Sequence, residues 1–106
     1  MLPEQRKSQR KVLKSRAMVA LDGNQTVEGR TLDIGTDGMS VGFSDPVQAG
    51  QGAYVRFDVM LDGKPNHVTA RAKAVYCIFS QGQFKVGFQF VNLDAASSTV
   101  ITRFLR

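Results

Sequence analysis

Most of this chain alternates apolar and polar side chains with a period of two, in short stretches separated by turn signals. Residues 53–61, AYVRFDVML, put Val55, Phe57, Val59 and Leu61 on one face and Arg56 and Asp58 on the other. Successive side chains of a β-strand point to opposite faces, whereas a helix repeats about every 3.6 residues, so this pattern reads as half-buried strand. Residues 67–79, HVTARAKAVYCIF, place Val68, Ala70, Ala72 and Ala74 together, with Thr69, Arg71 and Lys73 opposite. By the same parity Tyr76 joins the alanine face, and we read it as core. Met39, Val41 and Phe43 share a face in MSVGFS, as do Phe84, Val86, Phe88 and Phe90 in FKVGFQFV. RAMVAL (16–21) and VEGRTLDI (27–34) complete six predicted strands. Turn chemistry punctuates them at Asp22-Gly23-Asn24, at Asp62-Gly63 and at SQGQ, 80–83. The loop GTDG, 35–38, ends in Asp37-Gly38, a pair that tolerates positive φ in tight hairpins.

The end of the chain changes period. From Asp94, a good N-cap, the segment AASSTVITRFLR offers Val100, Ile101, Phe104 and Leu105 at helical spacing. Six short antiparallel strands and one helix imply a mainly β fold, a small barrel with a C-terminal helix from about residue 94. With 106 residues there is room for one core only. No apolar run approaches the roughly 18 residues that span a bilayer, and the polar N-terminus lacks the apolar region of a secretory signal. Membrane insertion is therefore not expected. A single cysteine, Cys77, forms no internal disulfide, and a cytoplasmic location is expected.

Charge divides the chain. Residues 1–16 carry Arg6, Lys7, Arg10, Lys11, Lys14 and Arg16 against Glu4, a balance of +5. Residues 17–106 carry eight basic and eight acidic side chains, so the whole excess sits on an N-terminal stretch. We expect a flexible basic arm over 1–16 and a barrel over 17–106. Such an arm attracts phosphate on nucleic acid, on an anionic membrane or on a small nucleotide, or else is simply a solvated leader.

Catalytic constellations are scarce. His67 is the only histidine and has no cysteine or carboxylate pair at metal-ligand spacing. Cys77 lies in an apolar-rich strand without a basic neighbour to lower its pKa, so we read it as structural. No nucleophilic triad order and no phosphate-cradling P-loop is present. The chain is not expected to be an enzyme, and no metal or cofactor is called for.

Two short motifs remain: RKSQR at 6–10, with arginines four residues apart, and DIGTDG at 33–38. Together they resemble the signatures of the PilZ domain family, R-x-x-x-R and D/N-x-S/A-x-x-G. FKVGFQFVNLD, 84–94, resembles the family's closing strand, so the resemblance runs over essentially the whole chain. It implies a six-stranded antiparallel barrel that binds the bacterial second messenger cyclic di-GMP and signals to a partner protein. Carried over, Arg6 and Arg10 would bond phosphates and guanine edges and stack on the bases. A guanidinium suits this because it offers a planar fork of donors and a π-face, where Lys7 or Lys11 offers a point charge. Asp33 matches the acidic position that accepts from a guanine N–H, and Gly38 the closing glycine, where backbone approaches the base.

Gly35 departs from the pattern, since the family has a serine there, sometimes alanine, whose hydroxyl donates to the ligand. Such a bond to a charged group is worth about 1.5–3 kcal/mol. A backbone N–H with a water could replace it. The alternatives are a degenerate, PilZ-like adaptor that binds only protein, or a small basic nucleic-acid binder. Residues 1–16 contain no aromatic ring, which disfavours the last because single-strand binders interleave stacking rings with charge.

Overall fold

The computed structural model describes residues 9–23 and 25–106. Strands β1 (Lys11–Val12), β2 (Arg16–Leu21), β3 (Thr26–Ile34), β4 (Gly38–Phe43), β5 (Gly52–Leu61), β6 (Lys64–Ser80) and β7 (Gln83–Leu93) precede helix α1 (Ala95–Leu105). Every pairing is antiparallel. Neighbours run β3-β2-β5-β6-β7-β4, and β4 pairs back onto β3, which closes a six-stranded barrel. Closure removes most of the unpaired edge that an open sheet would present. The expected strands, their order and the helix are all present, with β1 as an extra short strand.

The alternating faces meet inside. Val19, Met39, Val41, Val55, Val59 and Val86 are fully buried, and the small Ala70, Ala72 and Ala74 line the same interior. Helix α1 packs against β5 and β6 and contributes Ile101 and Leu105 to the core. Asp94 caps it by accepting from the Ser97 backbone N–H at 2.7 Å, and the buried Ser97 hydroxyl accepts from the Thr69 N–H at 3.1 Å. Two hairpins turn on αL residue pairs, Asp62-Gly63 (φ 53° and 76°) and Gln81-Gly82 (φ 52° and 80°). Asp37-Gly38 differs from expectation: neither residue has a positive φ, and Gly38 opens β4 as an ordinary strand residue.

The arm expected over 1–16 is tied to the barrel in its described part. Lys11 and Val12 pair with Ile34 and Asp33, just beyond the end of β2 on the same edge of β3. Between β1 and β2 the chain bulges, and the buried Thr31 hydroxyl bridges the gap. It donates to the Leu13 carbonyl at 2.6 Å and accepts from the Ser15 N–H at 2.8 Å. Leu13 is only 7% exposed. Lys11 donates to the Phe104 carbonyl at 2.9 Å, at the C-terminal end of α1 where a cation is favourable, and lies 5.1 Å over the Phe104 ring. The basic composition concealed this attachment, because the apolar Val12-Leu13 pair is too short to register as a strand.

A large-to-small change at a buried leucine costs about 2–5 kcal/mol. Leu13→Ala is therefore expected to lower the melting temperature strongly, whereas removal of residues 1–8 leaves a cooperative melt. Circular dichroism melts of both variants check this. A second expectation concerns acid. The Arg71 fork on Asp22 (2.9 and 2.8 Å) and the Ser97 N–H on Asp94 hold both carboxyls below their ordinary range. A carboxyl with a depressed folded-state pKa stabilises above its unfolded pKa of about 3.9 and loses that stabilisation as pH falls through the folded value. Asp22→Asn and Asp94→Asn are thus expected to lower the melting temperature at neutral pH and to flatten its decline below about pH 4.

Candidate functional site

In a regular strand, Asp33 would share the inward parity of Gly29 and Thr31, and Tyr76 that of Ala72 and Ala74. Neither side chain is inside. The β3–β4 register passes from Thr31↔Val41 to Asp33↔Ser40, which leaves Leu32 as an extra residue. The β6–β7 register passes from Ala74↔Phe88 to Tyr76↔Gly87, which leaves Val75 extra. Each is a β-bulge, and a bulge re-aims every side chain after it. Ile34 is then buried and Asp33 turned out, and Tyr76 is 40% exposed. Our reading of Tyr76 as core is corrected here: the inserted Val75 breaks the parity on which it rested.

The two bulges place Asp33 and Tyr76 in one row across four strands. Asp33 stands opposite Ser40, Ser40 opposite Gly87, and Gly87 opposite Tyr76. The middle of the row is small. Gly87 lies under the Tyr76 ring, where a Cβ would collide with the ring carbons, and the Tyr76 hydroxyl reaches the Ser40 hydroxyl at 3.4 Å. Gly38, Ser40 and Gly87 floor a groove of about 490 Å³, and Arg10, Asp33, Asp37, Tyr76, Lys85 and Gln89 rim it.

Arg10 reaches this groove from the N-terminal segment. Its Nη2 and Nε donate to one Asp33 oxygen at 2.8 and 3.2 Å. Both side chains are partly exposed, 39% and 29%, so the pair orients two polar groups at the groove rather than carrying much stability. Gly35 explains how the segment comes so close. A Cβ there would stand 3.1 Å from the Gln9 carbonyl oxygen and 3.2 Å from the Arg10 Cγ. Gly38 has a different duty, since a Cβ on it would collide with the Phe88 carbonyl oxygen of β7. Its lack of a side chain serves β4–β7 contact first.

Of the residues singled out from the motifs, Arg10, Asp33, Gly35 and Gly38 are brought together, and Arg6 lies outside the described residues. Ser40, Gly87, Lys85 and Gln89 were missed, and Tyr76 was read as core. One signal for the groove was available: a carboxylate at inward parity, Asp33, marks a strand whose register has shifted. His67 and Cys77 are elsewhere, and among the described residues no cluster of His, Cys, Asp and Glu could hold a metal ion.

The glycines separate by experiment. Gly38→Ala is expected to cost about 1–3 kcal/mol through backbone displacement, which lowers the melting temperature by about 4–8 °C per kcal/mol in a domain of this size. Gly35→Ala presses only on a carbonyl and a flexible side chain and is expected to cost less. Thermal melts of the two variants against the parent decide the order.

Comparison with known proteins bears on both fold and site. Residues 4–106 match the family model of the PilZ domain. No curated protein matches the chain in sequence. Among solved structures it is similar to the Bacillus subtilis inhibitor of motility MotI (DgrA), with TM-score 0.84 at 10% identity over 94% of this chain; it spans 49% of that protein, about half its length. It is also similar to the PilZ domain of Escherichia coli YcgR with c-di-GMP, with TM-score 0.71 at 17% identity, covering 95% of this chain and 88% of that one. A third similar structure is the PilZ domain of CeSA from a cellulose-synthesizing bacterium, with TM-score 0.60 at 23% identity, covering 92% and 95%.

Proposed function

The chain belongs to the PilZ domain family, and on that premise we propose that it is a binding module for cyclic di-GMP that signals to a partner protein in the cytoplasm. The observation that carries this reading is the row Asp33–Ser40–Gly87–Tyr76 with the Arg10 fork at its end. A flat base needs a floor without side chains, a ring or guanidinium to stack on, and an acceptor for its N–H groups. Gly38 and Ser40 supply the floor, the Tyr76 ring lying over Gly87 the stacking plane, and Asp33 the acceptor. Arg10 supplies donors for guanine O6 and N7 or for a phosphate oxygen. Arg6, one motif step earlier, is assigned the same chemistry, and Lys85 adds positive charge at the rim. The solved YcgR domain with c-di-GMP, which shares this fold, supports the choice of ligand.

Signalling follows from the arginine motif. Arg6, Lys7 and Arg10 lie just before β1, and Arg10 already reaches Asp33 at the groove. A ligand with two phosphates gathers that segment against the groove, so ordering and binding are one event. The surface so formed is what a partner reads. The similarity to an inhibitor of motility supports action through a partner rather than through catalysis.

A second reading is an adaptor that binds protein alone, and Gly35 is the observation that favours it. Where a serine would offer a hydroxyl, this chain offers room for Gln9 and Arg10.

Titration calorimetry with cyclic di-GMP, GTP and a mixed-sequence single strand tests the proposal. Binding of cyclic di-GMP alone is expected. Arg10→Ala is expected to weaken it at least about tenfold, and Arg10→Lys also substantially, because charge without the fork loses bidentate geometry. Tyr76→Ala is expected to cost about 1–3 kcal/mol of stacking. Gly35→Ser, at a position without positive φ, adds a donor worth about 1 kcal/mol, offset in part by the Gln9 carbonyl oxygen and Arg10 Cγ that its Cβ meets at 3.1 and 3.2 Å, so a net gain below about 1 kcal/mol is expected. If neither the parent nor Gly35→Ser binds cyclic di-GMP, the adaptor reading replaces this one.

A further inference from the structure

Strand β6 outruns its neighbour β5. Their pairing ends at Gly52↔Lys73, followed by the bonds of Ala74 to Gln51 (2.9 Å) and Gly50 (2.7 Å). From Val75 to Ser80, β6 pairs with β7 alone, so its other edge has no strand partner among the described residues. The direction of the open groups follows from the turn. The two-residue αL turn Gln81-Gly82 closes on Ser80↔Gln83, the pair that exchanges hydrogen bonds in such a hairpin. Alternation along the ladder then turns the backbone groups of Ile78 toward β7. Those of Cys77 and Phe79 point to the open edge.

The side chains make this edge unusual. VYCIFS, 75–80, has no charge, no proline and no glycine. Val75 is 48% exposed, Ile78 51% and Phe79 66%. Native sheets blunt a free edge with lysine, proline, a bulge along it or a covering segment, because an open apolar edge recruits another strand. Among the described residues the only such device is the bulge at Val75, and it stands at the start of the segment, leaving Tyr76–Ser80 regular.

We propose that a second copy of the chain covers this edge, with β6 pairing antiparallel to β6 about a two-fold axis near Cys77 and Ile78. An uncharged edge offers no charge pattern by which to select a foreign strand. It meets no repulsion from its own image, and one isologous contact satisfies both open edges at once, as in the commonest oligomers. Val75 and Tyr76 also line the groove described above, so the pairing sets a groove on each side of the axis.

Sedimentation velocity of the unliganded full chain across a micromolar-to-millimolar range tests this independently of any nucleotide. A concentration-dependent dimer is expected. Phe79→Lys puts a charge on the edge but also loses contact with the Phe84 ring, 5.0 Å away, so Ile78→Glu serves as a second variant. Whichever variant keeps a cooperative melt is expected to sediment as a monomer. A parent chain that stays monomeric throughout overturns the proposal. So does a dimer that survives in a folded variant.

Discussion

In a closed antiparallel barrel the side on which a residue stands is decided by parity, and the only local way to change sides is to insert a residue. That constraint governs this structure. The interior needs an unbroken apolar lining, and Met39, Val41 and Phe43 of β4 with Ala53, Val55, Phe57 and Val59 of β5 supply much of it. A polar groove on the outside needs an acidic and an aromatic side chain in one row. Leu32 and Val75 reconcile the two demands, each shifting the strand by one position. The carboxylate and the ring come out together, while Ile34 and Cys77 take up the inward positions that follow.

The N-terminal segment obeys a second constraint, that a cationic chain held near the groove must be anchored without filling it. Leu13 is buried, β1 pairs along β3, and Lys11 caps the end of α1. Gln9 and Arg10 lie against the β3–β4 loop at Gly35, which is small enough to admit them. Gly35 therefore couples two features that look separate in the sequence, the missing family serine and the reach of the arginine motif.

Strand number, order and the terminal helix were legible because burial of one face per strand writes itself into the period-two pattern. Asp33, Gly38 and Arg10 were legible because short motifs carried them. Tyr76 was not, because a bulge leaves no composition of its own: Val75 is as strand-like as its neighbours, and extrapolated parity sent the ring inward. Ser40 and Gly87 were hidden for another reason. A floor is defined by the absence of side chains, and small residues in strands ordinarily signal nothing. The attachment of β1 escaped because charge dominated the reading of residues 1–16, while one leucine did the anchoring.

The central claim is that two bulges assemble a single outer row that receives the ligand. Amide chemical-shift mapping of the full chain during titration with cyclic di-GMP tests it most directly. The account predicts that the largest shifts fall on Asp33, Ser40, Gly87 and Tyr76 together with Arg10, and that the face formed by β2 and β5 stays unchanged. Shifts centred on β2 and β5, or spread evenly over the arginines and lysines of the N-terminal segment with the row silent, would contradict it.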